Sequence, residues 1–245
     1  MTPFIDTSSL DPNNLAYWYP RLLACGLPMP KTLLVRAHEE ELSDIANVFE
    51  GQAMTCASEP FFKRLAEAAQ EIGYPLFLRT GHTAGKQNWR HTCYVAKERE
   101  LRDHAIALVE YSDIISFSRF SLEWWAVREF LPLTPVAHAP LFADLPICRE
   151  VRAFAVDGKV KCIHPYWSER FLEQGGVSEF TAVYNALKDI KDEDYVKDLA
   201  ARAAQAAGPG AWSVDILSTE RGWNVIDMAE AAKSYHMSGC ANRFD

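Results

Sequence analysis

Residues 212–230, WSVDILSTERGWNVIDMAE, hold two apolar runs, Trp212-Ser213-Val214-Asp215-Ile216-Leu217 and Trp223-Asn224-Val225-Ile226-Asp227-Met228, on either side of a polar turn. Aromatic and β-branched residues around a short turn predict an antiparallel hairpin. With the turn centred near Glu220, Asp215 faces roughly Val225. Asp227 then lies one diagonal step away on the same face, about 7–8 Å between Cα atoms. Two acids set in apolar strands either end in solvent or converge on a cation, and Val214, Ile216, Ile226 and Met228 weigh against a plain surface. A hard cation such as Mg²⁺ takes one or two protein carboxylates plus substrate phosphates, and Glu230, just beyond, offers a third carboxylate.

The segment upstream carries a second hairpin. In EVRAFAVDGKVKCIH (150–164), two β-rich runs flank Asp157-Gly158, a pair that accepts the positive φ angles of a type I′ turn. Glu150 and Arg152 share a face by the period-two rule, and Lys161 shares one with Ile163. Either Glu150 and Arg152 form a structural pair, or Arg152 and Lys161 reach phosphate oxygens, for which a planar guanidinium and a point ammonium are both suited. Between the hairpins, Val196, Leu199, Ala203 and Ala206 line one side of a helix over about 194–207, which Gly208 ends.

Toward the N-terminus, KTLLV (31–35) reads as a strand and 39–50 as a helix, with Leu42, Ile45, Ala46 and Phe49 at helical spacing. Ser58 caps a second helix whose stripe is Phe61, Leu65, Ala69 and Ile72, with Gly73 as its stop. A strand at Leu76–Arg79 leads into the polar loop TGHTAGKQNWR (80–90), a short strand at 92–95 and a helix near 98–111. Gly81 to Lys86 has its glycines one residue too close for a Walker A loop, and Gln87 stands where Ser or Thr would bind Mg²⁺. The loop either covers phosphates through its amides or is a flexible surface hairpin. WWAVREF (124–130) is dense in β-formers, and the Pro-punctuated LPLTPVAHAP (131–140) suits a connector between lobes. Trp124-Trp125 and Tyr166-Trp167 are either strand core or a stacking platform for a base.

The 245 residues, 49% hydrophobic and 24% charged, describe a soluble globular chain with a sizeable core. A net charge of -8 argues against coating a nucleic-acid backbone, and no apolar run approaches the length that spans a bilayer, so a cytoplasmic protein is expected. Cys25, Cys56, Cys93, Cys148, Cys162 and Cys240 stand singly, without the spacing of a zinc motif or a disulfide framework, and are expected reduced and mostly buried. His138, His164 and His236 are either structural or line an acceptor site. Neither Ser-His-Asp nor GxSxG is discernible, so nucleophilic hydrolysis has no support.

In order, the pieces are Arg79 ending a strand, a Gly-containing loop with Lys86, a strand ending Arg128-Glu129-Phe130-Leu131, the charged hairpin EVRAFAVDGKV, and the pair VDIL and NVIDMAE. This order resembles the ATP-grasp superfamily over about residues 70–235. It is nearest the small phage and bacterial ATP-grasp proteins with an Arg and Lys signature and the cell-division-cycle protein 123 family. The resemblance implies an α/β (α+β) fold, a two-lobed core of antiparallel sheets with helices that holds Mg-ATP between its lobes. Its divisions are a small pre-domain over 1–73, an N-lobe over 74–130 and a C-lobe over 131–245. By resemblance, Arg79 looks like the basic residue beneath the α/β-phosphates, and Lys86 like the lysine of the mobile loop. Glu129, Phe130 and Leu131 look like the hinge whose backbone meets the adenine edge. Arg152 and Lys161 look like phosphate ligands, with Lys86 and Arg152 the catalytic cations, while Asp215 and Asp227 look like magnesium ligands. The superfamily commonly ends its metal strand Glu-x-Asn; here the strand reads Asp227-Met228-Ala229-Glu230, so the Asn is missing and Glu230 is left as its substitute.

The implied activity is an ATP-dependent carboxylate-amine (or thiol) ligase. The substrate carboxylate attacks the γ-phosphate to give an acyl-phosphate and ADP, and the amine then displaces phosphate. Such transfer needs electrostatic stabilisation rather than covalent participation by the protein. The substrates would be small-molecule or peptide carboxylates and amines. The resemblance to cell-division-cycle protein 123 implies instead an ATP-binding assembly factor gripping a protein partner, and a kinase or nucleic-acid ligase is a third expectation.

Overall fold

The computed structural model describes residues 9–116 and 121–244. After α1 (Leu15–Ala24) the chain runs β1 (Thr32–Arg36), α2 (Glu39–Ala46), α3 (Glu59–Ile72), β2 (Leu76–Thr80), β3 (Tyr94–Val95), α4 (Leu101–Ser116) and β4 (Trp124–Glu129). It continues with β5 (Pro135–Ala139), β6 (Leu145–Cys148), β7 (Glu150–Val156), β8 (Lys159–Pro165), α5 (Glu169–Gln174), α6 (Phe180–Lys188), α7 (Glu193–Ala207), β9 (Ala211–Thr219) and β10 (Gly222–Glu230). The fold is mixed α/β with antiparallel sheets, as the sequence predicts. Two compact units result. The first takes Asn14–Ala16 and Lys31–Phe130; the second takes the stretch ending at Asn13, Tyr17–Pro30, and the chain from Leu131 onward.

In the first unit the strand order is β1-β4-β2-β3. Alternation sends Val35, Leu76, Leu78, Trp125 and Val127 to one face, where α3 (Phe61, Leu65, Ala69) and α4 (Leu101, Ala105, Leu108) bury them. The division expected at residue 73 therefore gives way: β1 is hydrogen-bonded to β4 throughout its length, so 31–73 cannot be a separate pre-domain. The stretch 17–30 belongs to the second unit, where the Tyr17 ring stacks at 6.1 Å on Trp212 and the Pro28 carbonyl accepts the Val225 amide. α1 escapes the sequence reading because Pro20 interrupts it; its buried stripe is Leu15, Trp18, Tyr19 and Leu22.

The second unit is built on the sheet β10-β9-β7-β8. Val151, Ala153, Ala155, Val214 and Ile216 form its apolar face, and α7 packs on β7 and β9 through Val196, Leu199, Ala200 and Ala203. The type I′ turn is present, with Asp157 at φ 47° and Gly158 at φ 73°. The segment 131–140 is more than a connector. Its second half is β5, paired with β6 around a bulge after Pro135, a position where the missing amide costs no ladder bond.

Candidate functional site

The face of the second sheet away from α7 carries a row of charge. Arg152 on β7 lies opposite Asp215 on β9, and Asp215 lies opposite Asp227 on β10. Strands β9 and β7 are the inner pair, so the Arg152–Asp215 contact sits in the middle of the sheet. It is bidentate, Nε to Oδ1 at 2.7 Å and Nη2 to Oδ2 at 2.8 Å, with the two side chains 18% and 6% exposed. Burial disfavours the guanidinium charge, but Asp215, with Tyr166 and Asp227 adding to it, raises the Arg152 pKa well above its ordinary value. The Arg152 guanidinium also lies 4.8 Å over the Tyr166 ring and donates to the Tyr235 carbonyl at 3.4 Å. Arg152 thus takes its carboxylate from the next strand, and the structural Glu150–Arg152 pair gives way to this one.

The hairpin register differs from the simple expectation. Val225 pairs with Ile216 and Asp227 with Asp215, which makes Ile226 the extra residue of a bulge. The bulge places the two acids directly opposite one another instead of diagonally. The Asp227 Oδ1 accepts its neighbour's amide, that of Met228, at 3.0 Å. Beyond the bulge the alternation resumes, with Ala229 opposite Ser213 and Glu230 opposite Trp212. Ala229 therefore shares the Asp227 face, where its methyl can ligate nothing. Glu230 points to the other face, and there its Oε2 accepts from Asn13 Nδ2 at 3.0 Å while its amide donates to Asn13 Oδ1 at 2.8 Å. The expectation of a third carboxylate at Glu230 is corrected by strand parity.

Lys161 is corrected as well. The β7–β8 register shifts between Phe154 and Ala155, leaving Lys161 as the exposed extra residue; the β8 partner of Arg152 is His164. The histidines expected together divide: His164 and His236 lie with ring centroids 5.1 Å apart, while His138 stands exposed on β5. The cysteines are less buried than expected, only Cys93 and Cys148 being fully so.

In the first unit, Arg79 is 4% exposed on the sheet face away from α3 and donates to the Thr80 carbonyl. Arg128, passed over in the sequence reading, is 3% exposed on the same face and donates to Thr32 Oγ1 at 3.1 Å. Two buried guanidiniums on one face of a small sheet are a strong signal; parity from β4 finds the second only once the register is known. The loop 80–90 is a tied turn rather than a flexible hairpin. Thr80 Oγ1 receives the amides of His82 and Thr83, Thr92 Oγ1 donates to the Gly85 carbonyl, and Gly85 at φ 62° starts a 3-10 turn at Lys86–Asn88. Gly81 is required by close approach, since a Cβ there would meet the Asn14 amide group at 2.3 Å. Burial pushes the Cys93 thiol up to about 12 against the opposing pull of Lys86, a Thr92 hydrogen bond and Arg79. In the expected hinge, the Glu129 amide is taken by the Lys31 carbonyl and its carboxylate by the Lys31 amide. The Phe130 ring packs on Tyr94 at 4.8 Å, and Leu131 is core. Trp125 and Trp167 are core too, which leaves Trp124 and Tyr166 partly exposed.

In the first unit, Arg79 and Arg128 are cations of the kind that holds phosphate. In the second, Asp227 and Asp215 match the one or two carboxylates that Mg²⁺ takes beside phosphate oxygens. No helix among the described residues is long and apolar enough to cross a membrane.

A search of curated proteins found no match. Among solved structures, a RimK domain ATP-grasp protein from Sphaerobacter thermophilus is 16% identical, with 89% of this chain and 58% of that chain covered and a TM-score of 0.48. The C-terminally truncated Cdc123 of Schizosaccharomyces pombe is 13% identical, with 89% and 83% covered and a TM-score of 0.57. N5-carboxyaminoimidazole ribonucleotide synthetase of Thermotoga maritima is 12% identical, with 91% and 43% covered and a TM-score of 0.46. The chain thus spans little more than half of the first of these proteins. The family described as ATP-grasp domain, R-two-K clade family 3, matches residues 65–241, which take in both buried arginines of the first sheet and the whole Arg152–Asp215–Asp227 row. With most of its length matched, the chain belongs to the R-two-K clade of the ATP-grasp family.

Proposed function

We propose that the chain binds Mg-ATP and uses it to join a carboxylate to an amine or thiol. The single observation that carries this reading is the row Arg152–Asp215–Asp227, a part-buried cation and two acids set side by side on neighbouring strands. Bound Mg-ATP would supply the phosphoryl group that activates the acceptor carboxylate. Asp215 holds the Arg152 guanidinium in a fixed plane, so that its remaining N–H groups are pre-aimed at phosphate oxygens. Asp227 offers the carboxylate for the metal, with Asp215 second to it because Arg152 already occupies both its oxygens. Within the first unit, Arg79, Arg128 and Lys86 are cations of the kind that stabilises phosphoryl oxygens. The lysine is carried on the turn that Gly85 and Thr92 fix. Small-molecule or peptide acids and amines are the substrate class.

A second reading, an ATP-binding assembly factor without ligation, is favoured by one feature. Ala229 replaces a ligand on the metal face and Glu230 turns away, which leaves the metal a sparse protein shell. The test is ADP release on incubation with Mg-ATP and panels of carboxylates, amines and thiols. The ligase reading expects release that depends on both co-substrates and disappears in Asp227→Asn. ATP binding with no acid- or amine-dependent release, beside a stable complex with a folded protein, overturns it in favour of the second reading.

A further inference from the structure

One side-chain cluster in the second unit lies beside the charged row, with His164 opposite Arg152. Cys162 and His164 alternate onto the same face of β8, the edge strand next to β7. His236 and Cys240 come from the segment after β10, where a turn over 237–240, with Gly239 at φ 83° and the Cys240 amide on the Met237 carbonyl, brings the cysteine back beside the histidine. One ligand atom from each of the four lies within 4.8 Å of all the others, and Cys162 Sγ is 3.2 Å from His236 Nε2.

We propose that Cys162, His164, His236 and Cys240 form a structural zinc site that staples the C-terminal segment to the edge strand of the nucleotide-binding sheet. With Zn–S near 2.3 Å and Zn–N near 2.0–2.1 Å, a tetrahedral ion needs ligand atoms about 3.3–3.8 Å apart, which small side-chain shifts supply here. Two thiolates neutralise the ion, and two sulfurs with two imidazoles are a zinc set rather than a magnesium one. His164 Nε2 and His236 Nδ1 are buried with no hydrogen-bond partner among the described residues, an expense a native protein rarely leaves standing. Aromatic rings wall the cluster, with Phe154 at 4.1 Å from the His236 ring and Phe244 at 5.9 Å. The segment needs such a fastening, because from Ser234 to Phe244 it has no helix or strand to hold it.

Loading releases the thiol protons and forms two Zn–S and two Zn–N bonds, with no change of oxidation state. The consequence reaches the charged row. The stapled segment includes Tyr235, whose carbonyl accepts from Arg152, and Asn242, whose side chain donates to the Lys161 carbonyl. The staple therefore fixes one acceptor of the guanidinium that the nucleotide reading uses, but the site stands or falls separately from that reading.

The experiment is elemental analysis of the full chain, expressed in zinc-supplemented medium and desalted without chelator, followed by cobalt(II) exchange. One zinc per chain is expected, with the intense visible absorption of tetrahedral cobalt and sulfur-to-cobalt charge transfer. Cys162→Ser and Cys240→Ser should each lose most of the metal and the charge-transfer band. Should these variants fail to fold, X-ray absorption of the wild-type protein replaces them, with two sulfur and two nitrogen neighbours expected. Metal-free wild-type protein, an octahedral cobalt spectrum, zinc retained in the Cys162→Ser/Cys240→Ser double variant, or a Cys162–Cys240 disulfide in the purified chain would each overturn the proposal.

Discussion

Two carboxylates are buried to the same degree in this protein, Asp44 on α2 of the first unit and Asp215 on β9 of the second, each 4% exposed. Their partners differ in kind. Asp44 is held by four uncharged donors, the amides and hydroxyls of Thr55 and Ser58 at 2.7–3.0 Å, which tie the end of α2 to the start of α3. Asp215 is held by one charged side chain, Arg152, which also lies over Tyr166. The four donors satisfy Asp44 within the fold and leave it nothing to offer a ligand. On the proposed reading, a guanidinium with N–H groups to spare makes Asp215 part of a surface for phosphate. Equal burial thus separates the two acids less than the charge and reach of their partners do.

The largest effect should come from breaking the charged pair. Asp215→Ala leaves the Arg152 cation buried without its carboxylate and should cost about 3–5 kcal/mol in denaturant unfolding. Arg152→Met/Asp215→Leu should recover most of that loss while remaining unable to bind ATP, and a double variant that bound ATP normally would erase the distinction from Asp44. Next, Asp44→Ala orphans four donors. It should lower the thermal midpoint by several degrees with nucleotide affinity unchanged, as calorimetry and ligand titration together would read.

The same acid sets a pH dependence. Hydrogen bonds from Thr55 and then Ser58 outweigh burial and hold the Asp44 carboxyl down at about 2, below the roughly 3.9 of an unfolded chain. Its contribution to stability is thus complete above about pH 4 and is lost as pH falls through about 2. Acid titration of Asp44→Asn should show a flatter limb across that window, and an unchanged limb would assign the acid sensitivity to other groups. The smallest effect is expected at Tyr166→Leu, which removes the ring beneath Arg152 and should cost about 0.5–1 kcal/mol with the ion pair intact.

Much of the second unit was legible because its signals are local. Asp157-Gly158 fixes one turn, alternation fixes which residues share a face, and the helical stripe of α7 fixes what covers the other. What failed there failed at bulges. One extra residue at Ile226 moved Asp227 from a diagonal to a direct neighbour of Asp215, and one at Lys161 removed that lysine from the row. No residue type announces a bulge, and a single slip changes every later partner. In the first unit, the pairing of β2 with β4, which sets Phe77 opposite Arg128 and Arg79 opposite Ala126, joins strands far apart in sequence, so the shared face of Arg79 and Arg128 had no local signal. The cluster of Cys162 and His164 with His236 and Cys240 was hidden in the same way, its halves lying on either side of α7 and the last hairpin.

The central claim is that this chain binds Mg-ATP, and isothermal titration of the purified chain with Mg-ATP tests it most directly, with Lys86→Ala and Asp227→Asn alongside. Saturable binding by the wild-type chain, weakened at least tenfold in both variants while their circular dichroism stays native, is the predicted result. A folded wild-type chain that takes up no Mg-ATP, or variants that bind as tightly as it does, would contradict the claim.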